Sequence, residues 1–288
     1  MLGQLLVNSL TLGSIYALTA LGFAVIYRAT GVVNFAQGEL MMLGALIALF
    51  LFRDLHFGYS VSFLLAIVAC MVLGFAIERI AFRPLIQAPH FTVLLSTIAV
   101  AQIIRSGVRA FYGQELSLFP SAFSTEPFTV LNVRLTPLNL GVLGVATATL
   151  AMFAVFFSRT RIGWAMRSTA QNTRGATIVG VDVPNVYSVT WAIAGGLAAI
   201  GGILLAPLII ITPDMGMIGN KGFVAAILGG FSSLPGAVVG GLILGVAENL
   251  VGVYVSSAFK DAIVFMLLVV MLAVYPTGLL GRKSLNRV

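Results

Sequence analysis

Five ionisable residues lie inside or beside long apolar runs of the sequence: Glu39, Glu78, Arg105, Lys221 and Glu248. A charged side chain at the centre of a bilayer costs about 2.5–3.5 kcal/mol on insertion scales, and such residues often mark the path of a polar solute. Glu78 is expected at the membrane interface beside Arg79, and Arg105 is expected to extend its guanidinium group to the interface. Glu39 and Glu248 lack such an explanation, so each could either line a path or brace a loop.

The sequence does not indicate enzymatic chemistry. A metal cluster or a histidine-dependent nucleophile would need partners for His56 and His90 that the sequence does not supply. The string GNKG at 219–222 lacks the G-x-x-x-x-G-K-[ST] spacing of a phosphate-binding loop. Ser232 and Ser233 lie in a glycine-rich turn, which would suit an intramembrane hydrolase, but no histidine in a plausible span could serve as its base. We therefore expect no catalytic residue, no metal ligand and no cofactor-binding residue in this chain.

The composition explains why charges are so rare. Hydrophobic residues make up 59% of the 288 residues, and charged residues make up 9%. A typical soluble domain is about 25% charged, so a soluble enzyme, a nucleic-acid binder and a disulfide-built secreted domain are excluded. We predict an all-α, polytopic membrane helical bundle of about eight or nine segments, formed by residues 1–288 as a single transmembrane domain. The pI near 10 then reflects basic residues retained in cytoplasmic loops.

Seven apolar runs are long enough to cross a bilayer; they cover residues 5–27, 60–82, 91–110, 138–157, 186–208, 236–255 and 258–275. Nine basic residues follow three of these runs: Arg79, Arg83, Arg159, Arg161, Arg167, Arg174, Arg282, Lys283 and Arg287. Because basic residues are retained on the cytoplasmic side, we expect the loop at 158–185 and the C-terminus inside the cell. The loop at 112–136 is then periplasmic. The glycine pairs 236/240 and 241/245 predict close packing against another helix, which we expect in this chain.

Two further apolar runs, at 40–52 and 222–230, are too short to cross. A helix over 40–52 reaches only about 20 Å, whereas the hydrocarbon core is about 30 Å thick. Each run follows a polar, glycine-containing string: GVVNFAQGE at 31–39 and PDMGMIGNK at 213–221. Irregular backbone at membrane depth requires protein or a wet cavity around it, and interrupted segments in matching positions indicate a transport path, often within an inverted repeat. The alternative is a sharp loop at the membrane surface.

Each short run and the polar string before it form one broken segment. We therefore predict that residues of the two broken segments, and one intramembrane carboxylate, line or brace a translocation path: Asn34, Gln37, Glu39, Lys221, Phe223 and Glu248. Phe35 and Phe223 sit at similar offsets in the two halves, which otherwise share little identity. A self-contained secondary transporter or channel would need several intramembrane carboxylates or a fixed selectivity filter. The sequence offers few candidates for either device.

The basic loop at 158–185 contains a candidate amphipathic helix at 162–175. Five of its residues recur at three- and four-residue steps and could form one face: Ala165, Met166, Thr169, Ala170 and Thr173. Arg161, Arg167 and Gln171 fall largely elsewhere and would stay free for partner contacts. Such a short, stiff helix could pass motion from soluble subunits to membrane helices. The alternative is a loop that lies on anionic lipid headgroups.

Four segments resemble, in order along nearly the whole chain, signature segments of one family: VVNFAQGELMMLGA at 32–45, RIGWAMRSTAQNTRGATIVGVDV at 161–183, KGFVAAILGGFSSLPGA at 221–237 and YPTGLLG at 275–281. The chain resembles the permeases of branched-chain amino-acid ABC transporters, most closely the H-type inner-membrane subunits of high-affinity leucine/isoleucine/valine importers. The second segment is similar to the family's cytoplasmic coupling segment, whose candidate residues here are Arg161, Gly163, Ala165, Arg167, Ala170, Gln171 and Asn172. The chain departs from the family at 173–175, where a glycine would end the coupling helix early.

The resemblance implies an assembly in the bacterial inner membrane. Two homologous permease subunits, or two copies of one, would form the pore. Two cytoplasmic ATPase subunits, which bind ATP and magnesium, would drive transport, and a periplasmic binding protein would deliver the solute. This chain would then hold no cofactor, hydrolyse no ATP and contact membrane lipid but no nucleic acid. The implied solutes are branched-chain amino acids, or the urea, short-chain amides or aromatic acids that close relatives carry.

Overall fold

The computed structural model describes residues 2–113, 119–124, 126–130 and 133–281. Twelve α-helices hold most of them: α1 Leu2–Thr30, α2 Gln37–Arg53, α3 Tyr59–Ile77, α4 His90–Tyr112, α5 Pro137–Arg159, α6 Arg161–Gln171, α7 Thr173–Ile178, α8 Val183–Leu205, α9 Met215–Gly219, α10 Lys221–Gly229, α11 Leu234–Tyr254 and α12 Lys260–Val274. A π-helical turn, Glu78–Phe82, and a 3-10 turn, Arg83–Leu85, continue α3, and another 3-10 turn, Ser257–Phe259, precedes α12. Strands β1 Phe128–Val130 and β2 Val133–Leu135 form an antiparallel hairpin.

Part of two predicted regions lies outside the described residues. The first is the basic tail with Arg282, Lys283 and Arg287. The second comprises residues 114–118, 125 and 131–132 of the loop predicted to be periplasmic. The remaining basic residues and the helix ends therefore indicate how the bundle is oriented in the membrane.

Among the described residues, seven helical stretches are long and apolar enough to cross a membrane: Gly3–Thr30, Tyr59–Leu85, Phe91–Tyr112, Pro137–Arg159, Val183–Leu205, Leu234–Tyr254 and Ser257–Val274. They match the seven long apolar runs, and the predicted all-α membrane bundle is confirmed. The two short runs correspond to α2, which has 17 residues, and to the interrupted stretch Met215–Gly229. Residues 31–36 are not helical, and α2 begins at Gln37, before the apolar run starts.

Helices α1 and α8 form the centre of the bundle, since most of their residues are buried, whereas α12 is largely exposed. Glycines allow the close approach of their neighbours. A Cβ on Gly202 of α8 would lie 1.9 Å from the Met41 carbonyl oxygen of α2, and a Cβ on Gly245 of α11 would lie 2.4 Å from the Gly13 Cα of α1. Such contacts hold helices together without any hydrophobic drive. The predicted glycine faces of α11 therefore pack within this chain: Gly241 and Gly245 on α1, Gly236 and Gly240 on α10.

The two ends of the bundle differ in character. At one end, Arg28 of α1 lies 5.6 Å from the ring centroid of Phe157, near the end of α5. This end also carries α6 and α7 and is rich in arginine, so we call it the basic end. At the opposite end, Asn139 at the start of α5 donates a hydrogen bond to Asn8 of α1, at 2.7 Å. The hairpin lies between α4 and α5, which brings it to this second end as well.

The segment after α12 folds back onto α10. The Leu279 N–H donates to the Leu228 carbonyl at 2.9 Å, and the Leu280 N–H donates to the Gly229 carbonyl at 3.0 Å. The last carbonyl groups of a helix have no partner within the helix. The string YPTGLLG therefore completes the hydrogen bonding at the end of the second broken segment.

Candidate functional site

The two broken segments meet inside the bundle. A Cβ on Gly38, in the first turn of α2, would lie 2.2 Å from the Gly216 carbonyl oxygen of α9, and a Cβ on Gly219 would lie 2.5 Å from the Gly38 Cα. The two backbones touch directly, which glycine alone permits. We call the contact between 31–39 and 213–221 the junction.

Aromatic rings pack beside the junction. Phe35 and Phe223, one from each broken segment, have ring centroids 5.1 Å apart. Phe223 also contacts Phe23 of α1 at 5.9 Å and Phe231 at 5.6 Å. Phe35, Phe223 and Phe231 are only half-buried. The cluster therefore presents an apolar surface next to the polar groups of the junction.

Asn34 and Gln37 are fully buried and hold the chain where α2 begins. The Asn34 side-chain oxygen accepts the Ala36 N–H at 3.0 Å, which shapes the turn that precedes the helix. The Gln37 side-chain amide donates to the Ala194 carbonyl of α8 at 2.9 Å. Both residues thus brace the non-helical stretch at membrane depth, in the way that irregular backbone there requires.

Glu39 is paired with Arg105 of α4. The Glu39 Oε1 atom accepts from the Arg105 Nε at 3.0 Å and also from its Nη2. Glu39 is 1% exposed. The expectation that Arg105 reaches the membrane interface is wrong, because the buried carboxylate of Glu39 lies within its reach and an unpaired buried charge would be strongly unfavourable.

The polar contacts of α4 reach both broken segments. Thr97 accepts the Phe35 N–H at 3.3 Å, and Arg105 binds Glu39. One turn further along, the Arg109 Nη2 lies 2.6 Å from the Asp214 Oδ1, just before α9. Helix α4 is otherwise mostly exposed, so these contacts fix it to the junction.

Lys221 and Glu248 form a second buried cluster. The Lys221 Nζ lies 2.8 Å from the Glu248 Oε1 and 2.7 Å from the Asp261 Oδ1 at the start of α12. The Tyr16 hydroxyl of α1 donates to the Glu248 Oε2 at 2.8 Å. This cluster joins α1, α10, α11 and α12. Five of the six predicted path residues thus fall into two groups. Asn34, Gln37 and Glu39 lie at the start of α2, Lys221 and Glu248 pair between α10 and α11, and Phe223 packs beside the junction.

Glu78 lies at the end of α3 and pairs with Arg83 rather than lying exposed beside Arg79. It is fully buried, and its two oxygens accept from the Arg83 Nε and Nη2, each at 3.2 Å. The Ser188 hydroxyl of α8 also donates to its Oε2, at 2.5 Å. The π-helical turn places Arg83 rather than Arg79 over the carboxylate. The pair fixes the basic end of α3 to α8.

A short helix does form in the basic loop. Helix α6 begins at Arg161, where the Thr160 hydroxyl oxygen accepts the Gly163 N–H at 3.0 Å, a typical N-cap. It ends at Gln171, and Asn172 then caps α7 by accepting the Gly175 N–H at 2.9 Å. The helix thus ends early, as expected, but the break is at the extended residue Asn172 and not at the glycine, because Gly175 lies within α7. A Cβ on Gly163 would lie 2.4 Å from the Phe157 carbonyl oxygen, so glycine allows α6 to pack on the end of α5.

The faces of α6 differ in part from the predicted ones. Met166 and Thr169 are buried, and Ala165 and Ala170 are half-buried, but Thr173 is exposed because it belongs to α7. Arg161, Gln171 and Asn172 are exposed. Arg167 is not free: its guanidinium donates to the Phe157 carbonyl and lies 5.5 Å from the Phe157 ring centroid. Arg167 contacts a backbone carbonyl and an aromatic ring, so no pattern of opposite charges in the sequence predicts this contact.

Several partners of the candidate residues carried no clear sequence signal. Tyr16 is one of several hydroxyl-bearing residues in an apolar run, and Asn220 and Asp261 lie at helix boundaries. Charge balance could have found Arg105, because each carboxylate inside an apolar run needs a buried basic partner. By that rule Glu39 pairs with Arg105 and Glu248 with Lys221, as the structure has them.

Comparison with known proteins gives consistent similarities. Residues 5–272 match the sequence model of the family described as "Branched-chain amino acid transport system / permease component". The chain is 35% identical to the high-affinity branched-chain amino acid transport system permease protein LivH of Salmonella typhimurium, over 99% of this chain and 97% of the relative. It is 32% identical to the corresponding protein BraD of Pseudomonas aeruginosa, again over 99% and 97%. The solved structure of PsaBC from Streptococcus pneumoniae in complex with Fab shares the fold, with a TM-score of 0.52, 10% identity and coverage of 94% and 91%.

Proposed function

The chain belongs to the permease family of branched-chain amino acid transport systems, and we propose that it forms part of the membrane path of an ATP-binding-cassette importer for leucine, isoleucine and valine. It is a multi-pass membrane protein and a transporter subunit rather than a catalytic enzyme. The proposal of a translocation path rests on the junction, where two broken segments bring buried polar side chains to membrane depth. Related solutes, such as urea, short-chain amides and aromatic acids, are the alternatives.

The candidate path residues have different roles in this proposal. Asn34 and Gln37 brace the backbone before α2, and Phe223 supplies apolar surface. Glu39 lies at the junction itself. Lys221 and Glu248 hold the second broken segment to α11 and α1, because each neutralises the other in a buried setting.

We place the basic end in the cytoplasm and the hairpin end in the periplasm of a bacterial inner membrane. Arg83, Arg159, Arg161, Arg167 and Arg174 all belong to segments at the basic end, and basic residues are retained inside. The segment at 279–280 packs at the same end, beside α10. The C-terminus is therefore cytoplasmic in this proposal.

The partners follow from this orientation. A second, homologous permease subunit or a second copy completes the pore, and a periplasmic binding protein docks at the hairpin end. Two ATPase subunits, which hold the ATP and magnesium, contact α6 and α7, where Arg161, Gln171 and Asn172 are exposed. No cofactor is assigned to this chain.

Reconstitution tests the proposal. The chain, its partner permease, the ATPases and the binding protein are placed in liposomes, and uptake of radiolabelled leucine is measured with and without enclosed ATP. We expect uptake only with ATP, and no ATP hydrolysis by the chain alone. Uptake driven by an ion gradient without ATP would instead support a secondary transporter, and ATP-driven uptake of urea but not leucine would support the related solutes.

A further inference from the structure

Glu39 has one oxygen with a partner and one without. Its Oε1 binds Arg105, whereas its buried Oε2 has no hydrogen-bond partner among the described residues. Three more buried polar atoms near the start of α2 and the end of α9 share this state: Asn34 Nδ2, Gln37 Oε1 and Asn220 Oδ1. Buried polar groups are normally hydrogen-bonded, so these four atoms need partners, and a polar ligand would supply them.

In the other buried carboxylates of the described chain, both oxygens have hydrogen-bond partners. Both oxygens of Glu248 are bound, one by Lys221 and one by Tyr16. Both oxygens of Glu78 are bound by Arg83, and one also by Ser188. Those two pairs are complete structural contacts. Glu39 differs because its pair leaves one acceptor open.

The open acceptors face the junction. A Cβ on Gly216 would lie 2.4 Å from the Glu39 Oε2, and a Cβ on Gly38 would lie 3.0 Å from the Asn220 Oδ1. Both atoms therefore lie against the glycines where the broken segments touch, so a solute reaches them only when the two segments move apart. Phe35, whose ring packs on Phe223, is four residues before Glu39 in the sequence. Charged, polar and apolar groups thus converge on one place.

We propose that Glu39 and Arg105 form a subsite for zwitterionic amino acids, in which Glu39 accepts the α-ammonium group and Arg105 binds the α-carboxylate. The inference rests on the proposed function. Without a solute the two side chains neutralise each other, since a lone buried charge is strongly unfavourable. A zwitterion brings one charge of each sign, so it can replace the internal ion pair without leaving either charge unpaired. The guanidinium group suits a carboxylate because it can donate two parallel hydrogen bonds.

The same exchange gives selectivity. A neutral amide, urea or a 2-oxo acid would separate Glu39 from Arg105 and leave at least one of them without a counter-charge. Sites that leave a buried polar group unpaired reject the wrong solute strongly. The apolar side chain of a branched amino acid would lie on the rings of Phe35 and Phe223, which are half-buried beside the junction.

The test compares two buried Glu–Arg pairs in the full reconstituted importer. The variant Glu39→Gln with Arg105→Gln removes both charges together, and Glu78→Gln with Arg83→Gln is the matched control at a complete pair. Leucine uptake and ATP hydrolysis are measured together, with leucine-loaded binding protein outside. We expect the first variant to keep ATP hydrolysis within about twofold but to carry at least about tenfold less leucine per ATP. The control should keep the normal ratio.

An unchanged ratio in Glu39→Gln with Arg105→Gln overturns the subsite, and so does an equal loss in both variants. If that double variant fails to assemble, Arg105→Lys decides, since it keeps the ion pair but removes the paired donors of the guanidinium group. A lowered ratio supports the subsite, and a normal one overturns it. Failure of the wild-type complex to carry leucine with ATP would instead reject the proposed function.

Discussion

Gly38 is the residue at which the junction tolerates least change. A Cβ there would lie 2.2 Å from the Gly216 carbonyl oxygen, a backbone atom that cannot move aside alone. We expect Gly38→Ala to separate the broken segments, lower the stability by about 1–3 kcal/mol and reduce leucine uptake. Thermal unfolding of the purified complex and the uptake assay measure the two effects.

Gly144 supplies the control for this substitution. It also lies within a helix, α5, but a Cβ there would meet no atom within 4 Å. Gly144→Ala should therefore keep or slightly raise the unfolding temperature, because alanine favours helix by about 1 kcal/mol over glycine. Equal unfolding temperatures for Gly38→Ala and Gly144→Ala would show that the close contact at the junction is not needed.

Helix α6 is expected to need its helical shape, and not only its charge. Ala170→Pro removes a backbone hydrogen bond inside the helix and sets the ring against the carbonyl four residues earlier. We expect this variant to lose ATP hydrolysis stimulated by the loaded binding protein and to retain the ATPase subunits poorly, with normal membrane insertion. Co-purification of the ATPases and the hydrolysis rate measure this.

Thr173→Pro is the matched variant in the same loop. Thr173 is the first residue of α7, and the preceding Asn172 is extended, with φ −157° and ψ 98°, a conformation that proline accepts before it. This variant should couple nearly normally. A loop that merely lies on lipid would tolerate both prolines, so normal coupling by Ala170→Pro would rule out α6 as the coupling helix.

Much of this architecture could be predicted because it depends on local length and composition. The shortness of the runs at 40–52 and 222–230 was enough to place both broken segments, and Thr160 and Asn172 are capping residues at the ends of α6. Contact partners on other helices of the bundle were harder to predict. The period of a helix shows which of its residues share a face, but not which helix lies opposite.

Arg105 and Glu78 illustrate this limit. Arg105 was expected at an interface because it lies near the end of an apolar run, and Glu78 was expected to be exposed at an interface because it lies beside Arg79. Arg105 is instead held inside because α2 begins in the interior and carries Glu39 to it. Glu78 is buried because a π-helical turn follows α3 and brings Arg83 back over the carboxylate. Neither event has a local sequence signal.

The orientation of the bundle can be tested with single cysteines. Cys70 is buried within α3 and should not react, so the natural chain is a suitable background. Thr177→Cys in α7 and Ser124→Cys near the hairpin place exposed, neutral residues at opposite ends. An impermeant maleimide should label Ser124→Cys in intact cells, but Thr177→Cys only after the cells are permeabilised. The reverse pattern would invert the proposed topology.

The ring of Phe157 is a contact shared by three helices. Arg28 of α1 and Arg167 of α6 both lie against this ring of α5, at 5.6 and 5.5 Å from its centroid. The three helices therefore meet at one side chain. Helix α1 in turn meets α11 backbone to backbone at Gly245, and its Thr19 would lie 2.6 Å from a Cβ on Gly222, directly after Lys221. A displacement of α6 is therefore transmitted through direct helix contacts, with no intervening loop, from the surface of the basic end to the second broken segment.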